Sequence, residues 1–140
     1  MKISPAEKRT LKKSKEKLGK KIRRLRESQG YALRSFALIV DVPYTNLKYI
    51  EDGVNAPTAR VYKNIIDNLD IDNDTRNKMD NLYTIIRETP PPDVCDIIIE
   101  HDGMNDVLRS LKNKSLSAQQ LGMIKELFDS FETETIEGEN

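Results

Sequence analysis

Tryptophan is absent from this 140-residue chain, and cysteine and histidine occur once each, as Cys95 and His101. A single cysteine excludes an internal disulfide and fits a reducing compartment. One thiol and one imidazole leave almost nothing for a soft-metal site. No apolar run approaches the ~20 residues that span a bilayer. The basic N-terminal stretch lacks the hydrophobic segment of a secretory signal. Among the six glycines none makes a phosphate-cradling loop. His101 stands beside Glu100 and Asp102 without a nucleophile or second histidine, so it reads as an exposed helix end. Cys95 has Asp93 and Asp96 nearby, which is no setting for an activated thiolate. Asp72-Asn73-Asp74 lacks the glycine and terminal glutamate of a calcium loop at the required spacing. These absences predict a protein without metal or cofactor that is not an enzyme.

What is present is charge, unevenly placed. Net charge is zero, yet lysine and arginine number 16 against 6 aspartates and glutamates up to Ile66, and 7 against 17 thereafter. Such asymmetry points to a polyanion-binding front and a rear that avoids polyanions. Hydrophobic residues make up 37% of the chain, enough for a modest core.

Ser4-Pro5-Ala6-Glu7 is a helix start, with Ser4 as N-cap, Pro5 in the first turn and Glu7 closing a capping box. Leu11, Leu18, Ile22 and Leu25 form one helical stripe in a segment that is otherwise mostly lysine and arginine. Residues 1–17 therefore read as a basic arm or helix extension. Either it tracks phosphates without regard to sequence, or it is a solvated helix face or solubilising tail. Gly30-Tyr31 ends the first helix. Leu33 to Ile39 is a second short segment that stops at Val40-Asp41-Val42. A third begins around Pro43, with Leu47 and Ile50 facing one way and Tyr44, Thr45, Lys48 and Tyr49 another, and Gly53 ends it. Thr58 is an N-cap for a fourth helix carrying Val61, Ile65, Ile66 and Leu69. A fifth is expected from about Thr75 to Glu88, with Met79, Leu82, Tyr83, Ile85 and Ile86 apolar.

LGKKIRRLRESQGY, then Phe36-Ala37, VPYTNLKYIEDG, Asn55-Ala56-Pro57 and the run to Leu69 occur in the order and spacing of a known family. Residues 18–69 resemble the helix-turn-helix regulators of the phage-repressor and xenobiotic-response-element (Xre) type. That resemblance implies an all-α chain, with a five-helix DNA-binding domain over residues 18–88 and a small helical appendage. It implies that Tyr44, Thr45, Lys48 and Tyr49, with Asn46 beside them, read base edges in a major groove. Tyrosines on a short helix also suit packing or a protein-contact face. It further implies an ion pair between Arg26 and Glu51 that fixes the first helix against the third.

The sequence departs from this pattern twice. Ala32 and Leu33 replace the usual Ser/Thr cap and glutamine at the second helix, and no lysine or arginine follows Gly53. Phosphate contacts would then come from the arm and from Lys20, Arg23, Arg24, Arg34, Arg60 and Lys63. Arg34 is equally suited to simple solvent exposure.

Thr89-Pro90-Pro91-Pro92-Asp93 reads as a stiff linker (89–93). Residues 94–131 then form short acidic helices, with a break at Asp102-Gly103 and a capping-box start at Ser117-Ala118-Gln119-Gln120. Leu121, Ile124, Leu127, Phe128 and Phe131 make the last helix amphipathic, which suits dimerisation. Residues 132–140 are an acidic tail. The chain lacks the Ser-Lys dyad of self-cleaving repressors. The expected function is a sequence-specific transcriptional regulator, a repressor of the phage or mobile-element kind. It would bind double-stranded DNA as a homodimer, with a regulatory protein partner on the C-terminal half and no membrane association. Its expected place is the cytoplasm of a bacterial or phage-infected cell, at the nucleoid. The alternative is a protein-interaction adaptor, antirepressor-like or antitoxin-like, that keeps the fold without reading bases.

Overall fold

A computed structural model describes residues 3–133, and over these the chain is all-helical. It divides into two compact units, one extending to Glu100 and one beginning at His101.

The first unit holds α1 (Pro5–Ser28), α2 (Leu33–Ile39), α3 (Tyr44–Glu51), α4 (Ala59–Asp67), α5 (Asn73–Arg87) and α6 (Pro92–Glu100). Side-chain caps start three of these six helices. The Ser4 hydroxyl accepts from the Glu7 N–H while the Glu7 carboxylate accepts from the Ser4 N–H. Thr58 caps α4 and Asp72 caps α5 through the N–H three residues on. Pro43 is the N-cap of α3 rather than its first residue. α5 starts two residues before the expected Thr75, because Asp72 takes the cap, and it ends at a left-handed Glu88. Of the apolar residues named for this helix, Ile85 is half exposed.

α1 packs chiefly on α5 and α3, α2 on α3, and α4 on α6. The core runs from Leu18 and Ile22 of α1 through Phe36, Leu47, Ile50 and Ile65 to Met79 and Tyr83, with Leu11 and Leu25 packed at its edge. Tyr62 and Tyr83 stack across α4 and α5 with ring centroids 4.3 Å apart. The Tyr62 hydroxyl donates to Asp80 at 2.7 Å. Burial above all, and then this bond to Asp80, push the Tyr62 phenol pKa up.

Two expected boundaries move. The division at residue 17 falls inside α1, where Ser14 is buried just as Leu18 is. Of the two forms expected for residues 1–17, the helix extension is the one present, continuous with a helix that packs along α5. The Pro-rich linker is likewise shortened, because Pro92 opens α6. Arg76 of α5 reaches Asp93 at 3.3 Å, the Cys95 thiol donates to the Pro90 carbonyl at 3.3 Å, and Pro91 is buried. These contacts put α6 in the first unit and cut the expected 94–131 segment at Glu100.

The second unit holds α7 (Met104–Arg109) and α8 (Ala118–Asp129). Ser117 and Gln120 form the capping box that starts α8. No side chain of α7 or α8 is buried. Of the tail from 132 onward, only Glu132 and Thr133 are among the described residues.

Candidate functional site

The turn between α2 and α3 is short and firmly held. Asp41 adopts a left-handed conformation at φ +56°. The Val42 N–H returns to the Ala37 carbonyl at 3.0 Å. From α4, the Asn64 amide donates to the Val40 carbonyl at 3.1 Å and Arg60 to the Asp41 carbonyl at 3.1 Å. Arg60, expected at phosphate, thus ties down this turn, and Asn64 was not singled out by the sequence at all.

α3 has two distinct faces. Leu47 and Ile50 are sealed in the core, whereas Tyr44 and Tyr49 are 41% and 49% exposed, with Thr45 and Lys48 exposed between them. Asn46 is half-buried, and its side-chain oxygen accepts from Asn55 at 3.4 Å. The Arg34 guanidinium lies over the Tyr44 ring, 4.4 Å from its centroid, in cation–π contact that joins α2 to α3.

Behind the exposed face sits a buried ionic cluster. Glu51 accepts from Arg26 through Nε at 2.7 Å and Nη2 at 2.9 Å, a two-pronged pair. Arg26 also donates to the Tyr31 carbonyl at 2.7 Å, so it joins α1, the α1–α2 turn and α3. Arg23 adds Nε to Glu51 at 3.3 Å and reaches Asp52. Hydrogen bonding to Glu51 raises the Arg26 pKa, and bonding to Asp52 raises that of Arg23. Asp52 accepts from Lys48 at 2.6 Å, and that bond, with Arg23 second, holds its carboxyl below the usual range.

Gly19 makes the approach of α1 to α3 possible. A Cβ there would stand 2.4 Å from the Ile50 carbonyl oxygen and 2.5 Å from that of Glu51. Its only sequence signal is a glycine inside an otherwise unbroken helical stripe.

The expected cations do not share one setting. Lys20, Arg24 and Arg34 are exposed, while Arg23 belongs with Glu51 and Asp52. Lys63 pairs with Asp67 at 2.6 Å and lines a groove between α4 and α6 beside Asp93 and Asp96. Exposed pairs of this kind are worth at most about 1 kcal/mol, so Lys48 and Lys63 exchange partners easily.

In the second unit Leu121, Leu127, Phe128 and Phe131 are all more than half exposed, and Ile124 is partly so. Among the described residues no group of three His, Cys, Asp or Glu side chains is placed to hold a metal ion, and no helix is long and apolar enough to cross a membrane. No protein-family model, curated protein or solved structure matches the chain.

Proposed function

We propose that this protein is a sequence-specific DNA-binding transcriptional regulator of the phage-repressor helix-turn-helix type. In this reading α1–α5 are the five-helix domain, α2 and α3 are the helix-turn-helix, and α3 enters the major groove. The observation that carries it is the division of α3. Its apolar residues are sealed while Tyr44, Thr45, Lys48 and Tyr49 stay in solvent on a helix anchored by Glu51. Side chains of these types meet base edges through hydrogen bonds and, for threonine, a methyl contact with thymine. Lys20, Arg24 and Arg34 supply charge for phosphates. The regulator acts as a homodimer through the apolar face of α8, in the cytoplasm, and needs no cofactor.

Selection from a random duplex pool followed by a mobility-shift titration tests this. A recurring motif should emerge, with affinity that falls steeply as salt rises. Tyr49→Ala should flatten discrimination between motif and scrambled duplex. No shift of any duplex at low salt overturns the proposal. One observation favours a second reading, a protein-interaction adaptor: Leu38, on α2, is 83% exposed beside a half-exposed Ile39. A stable hetero-complex together with absent DNA binding would favour it.

A further inference from the structure

The loop after α3 carries no cation of its own, since Gly53 is followed by Val54-Asn55-Ala56. α1 supplies what the loop lacks. Lys8, Lys12 and Lys15 recur at spacings of four and three, which is one side of a helix. With Asp52, Gly53 and Val54 they line an open cleft of about 330 Å³. That is many times the ~30 Å³ share of one water, so a hydrated phosphodiester has room there.

The charge inside the cleft favours an anion. Asp52 is already engaged by Lys48 and Arg23, which leaves three ammonium groups facing Glu16. Nor is the register loose. Gly53 is left-handed at φ +77°, and a Cβ on it would meet the Glu16 Cα at 2.7 Å. The loop backbone therefore lies directly on α1. Through Asp52 the cleft is continuous with Lys48 on the outward face of α3.

We propose that Lys8, Lys12 and Lys15 form a fixed phosphate site that grips one position of the DNA backbone flanking the groove occupied by α3. This rests on the DNA-binding reading. It replaces a diffuse basic arm with a contact of defined register, because the lysines stand on a helix already formed and only their side chains have to be ordered on binding. It also explains how the protein dispenses with a basic residue after Gly53.

The test compares two charge-matched pairs on one helix, using the full-length protein and the duplex recovered by selection. Lys12→Gln with Lys15→Gln empties the cleft of two cations. Lys13→Gln with Lys17→Gln removes two exposed cations from the opposite side of α1. The first pair should weaken binding on the order of tenfold and reduce the slope of log K against log salt by about 1. It should also abolish interference by ethylation at one backbone phosphate, which the second pair retains. Equal losses from both pairs, or none from the first, overturn the phosphate site while the DNA-binding reading stands. If wild type shifts no duplex at any salt, both fall. Circular dichroism melting of each variant separates these outcomes from lost folding.

Discussion

The two units differ in what they keep from water. Residues up to Glu100 enclose sixteen buried hydrophobic side chains, whereas α7 and α8 bury none. Both are helical, and both mix side-chain-capped helices (α1, α4, α5 and α8) with helices that lack such a cap (α2, α3 and α7), so secondary structure is not what separates them. A segment of this size without a core cannot offset its own conformational entropy, and helices of 6 and 12 residues are marginal in water. The first unit is a complete fold. The second leaves its large apolar residues Leu121, Leu127, Phe128 and Phe131 in solvent. Charge divides elsewhere, since the excess of cations ends at Ile66, inside α4 of the first unit, and anions predominate from Asp67 on.

The largest expected effect tests the completeness of the first unit. Glu51 is 2% exposed and receives two arginines, so replacing it strips the buried Arg26 of its two-pronged carboxylate partner, while the more exposed Arg23 keeps Asp52. Glu51→Gln should cost about 3 to 5 kcal/mol in urea unfolding. A loss below about 1 kcal/mol would show that the cluster is not what locks α1 to α3.

Next comes one substitution made in both units. In an exposed helix, alanine in place of glycine gains up to ~1 kcal/mol. At Gly19 the sign should reverse, since the new Cβ meets backbone oxygens that have no room to yield. Gly19→Ala should destabilise by roughly 1 to 3 kcal/mol. At Gly122 of α8 a Cβ would meet nothing within 4 Å, so Gly122→Ala should not lower the thermal midpoint. Equal losses at both positions would erase the contrast between the units.

Much of this was legible in the sequence wherever the cause is local. The caps at Ser4, Thr58 and Ser117 depend on residues three apart, and the two faces of α3 follow from helical spacing. The all-helical class, expected from the family resemblance, agrees with these local signals. What could not be read there depends on partners distant in the chain. Arg23 looks like one more phosphate contact until Glu51 and Asp52 are seen beside it, some 28 residues on. Three consecutive prolines indicate an extended linker, yet Pro92 also suits a first helical turn, and Arg76 draws Asp93 against α5. Gly19 carries no signal of its role in the sequence, because the carbonyls it accommodates belong to α3. Ile85 has the right period for the core but falls just off its edge.

A smaller effect concerns pH within the first unit. Tyr62 is buried and its folded pKa lies above the ordinary value of about 10. The sign follows from linkage. Its stabilisation is fully present below pH ~10 and is lost as pH rises toward the folded pKa, because only the unfolded chain releases the proton. Unfolding free energy should therefore fall above pH ~10 by up to about 1.4 kcal/mol per pH unit from this group. Tyr62→Phe should cost about 1 kcal/mol at neutral pH through the lost bond to Asp80 and should flatten the alkaline limb. An unchanged alkaline slope in the variant would assign it to other groups.

The smallest expected effect on stability carries the most weight for the contrast. Leu121 and Phe128 are both more than half exposed on α8, one in its first turn and one in its last, and neither belongs to the buried core of the first unit. Leu121→Asp with Phe128→Asp should therefore leave the main melting transition where it was. If the proposed homodimer uses this face, sedimentation equilibrium should find a dimer for the wild type and a monomer for the same double variant, because two aspartates facing their symmetry mates disfavour a twofold apolar interface. Binding to a two-half-site duplex should weaken far more than binding to a single half-site, since only the former draws on effective concentration. If instead the melting temperature falls while the mass stays unchanged, the face of α8 is used within its own chain, and the contrast between the two units fails.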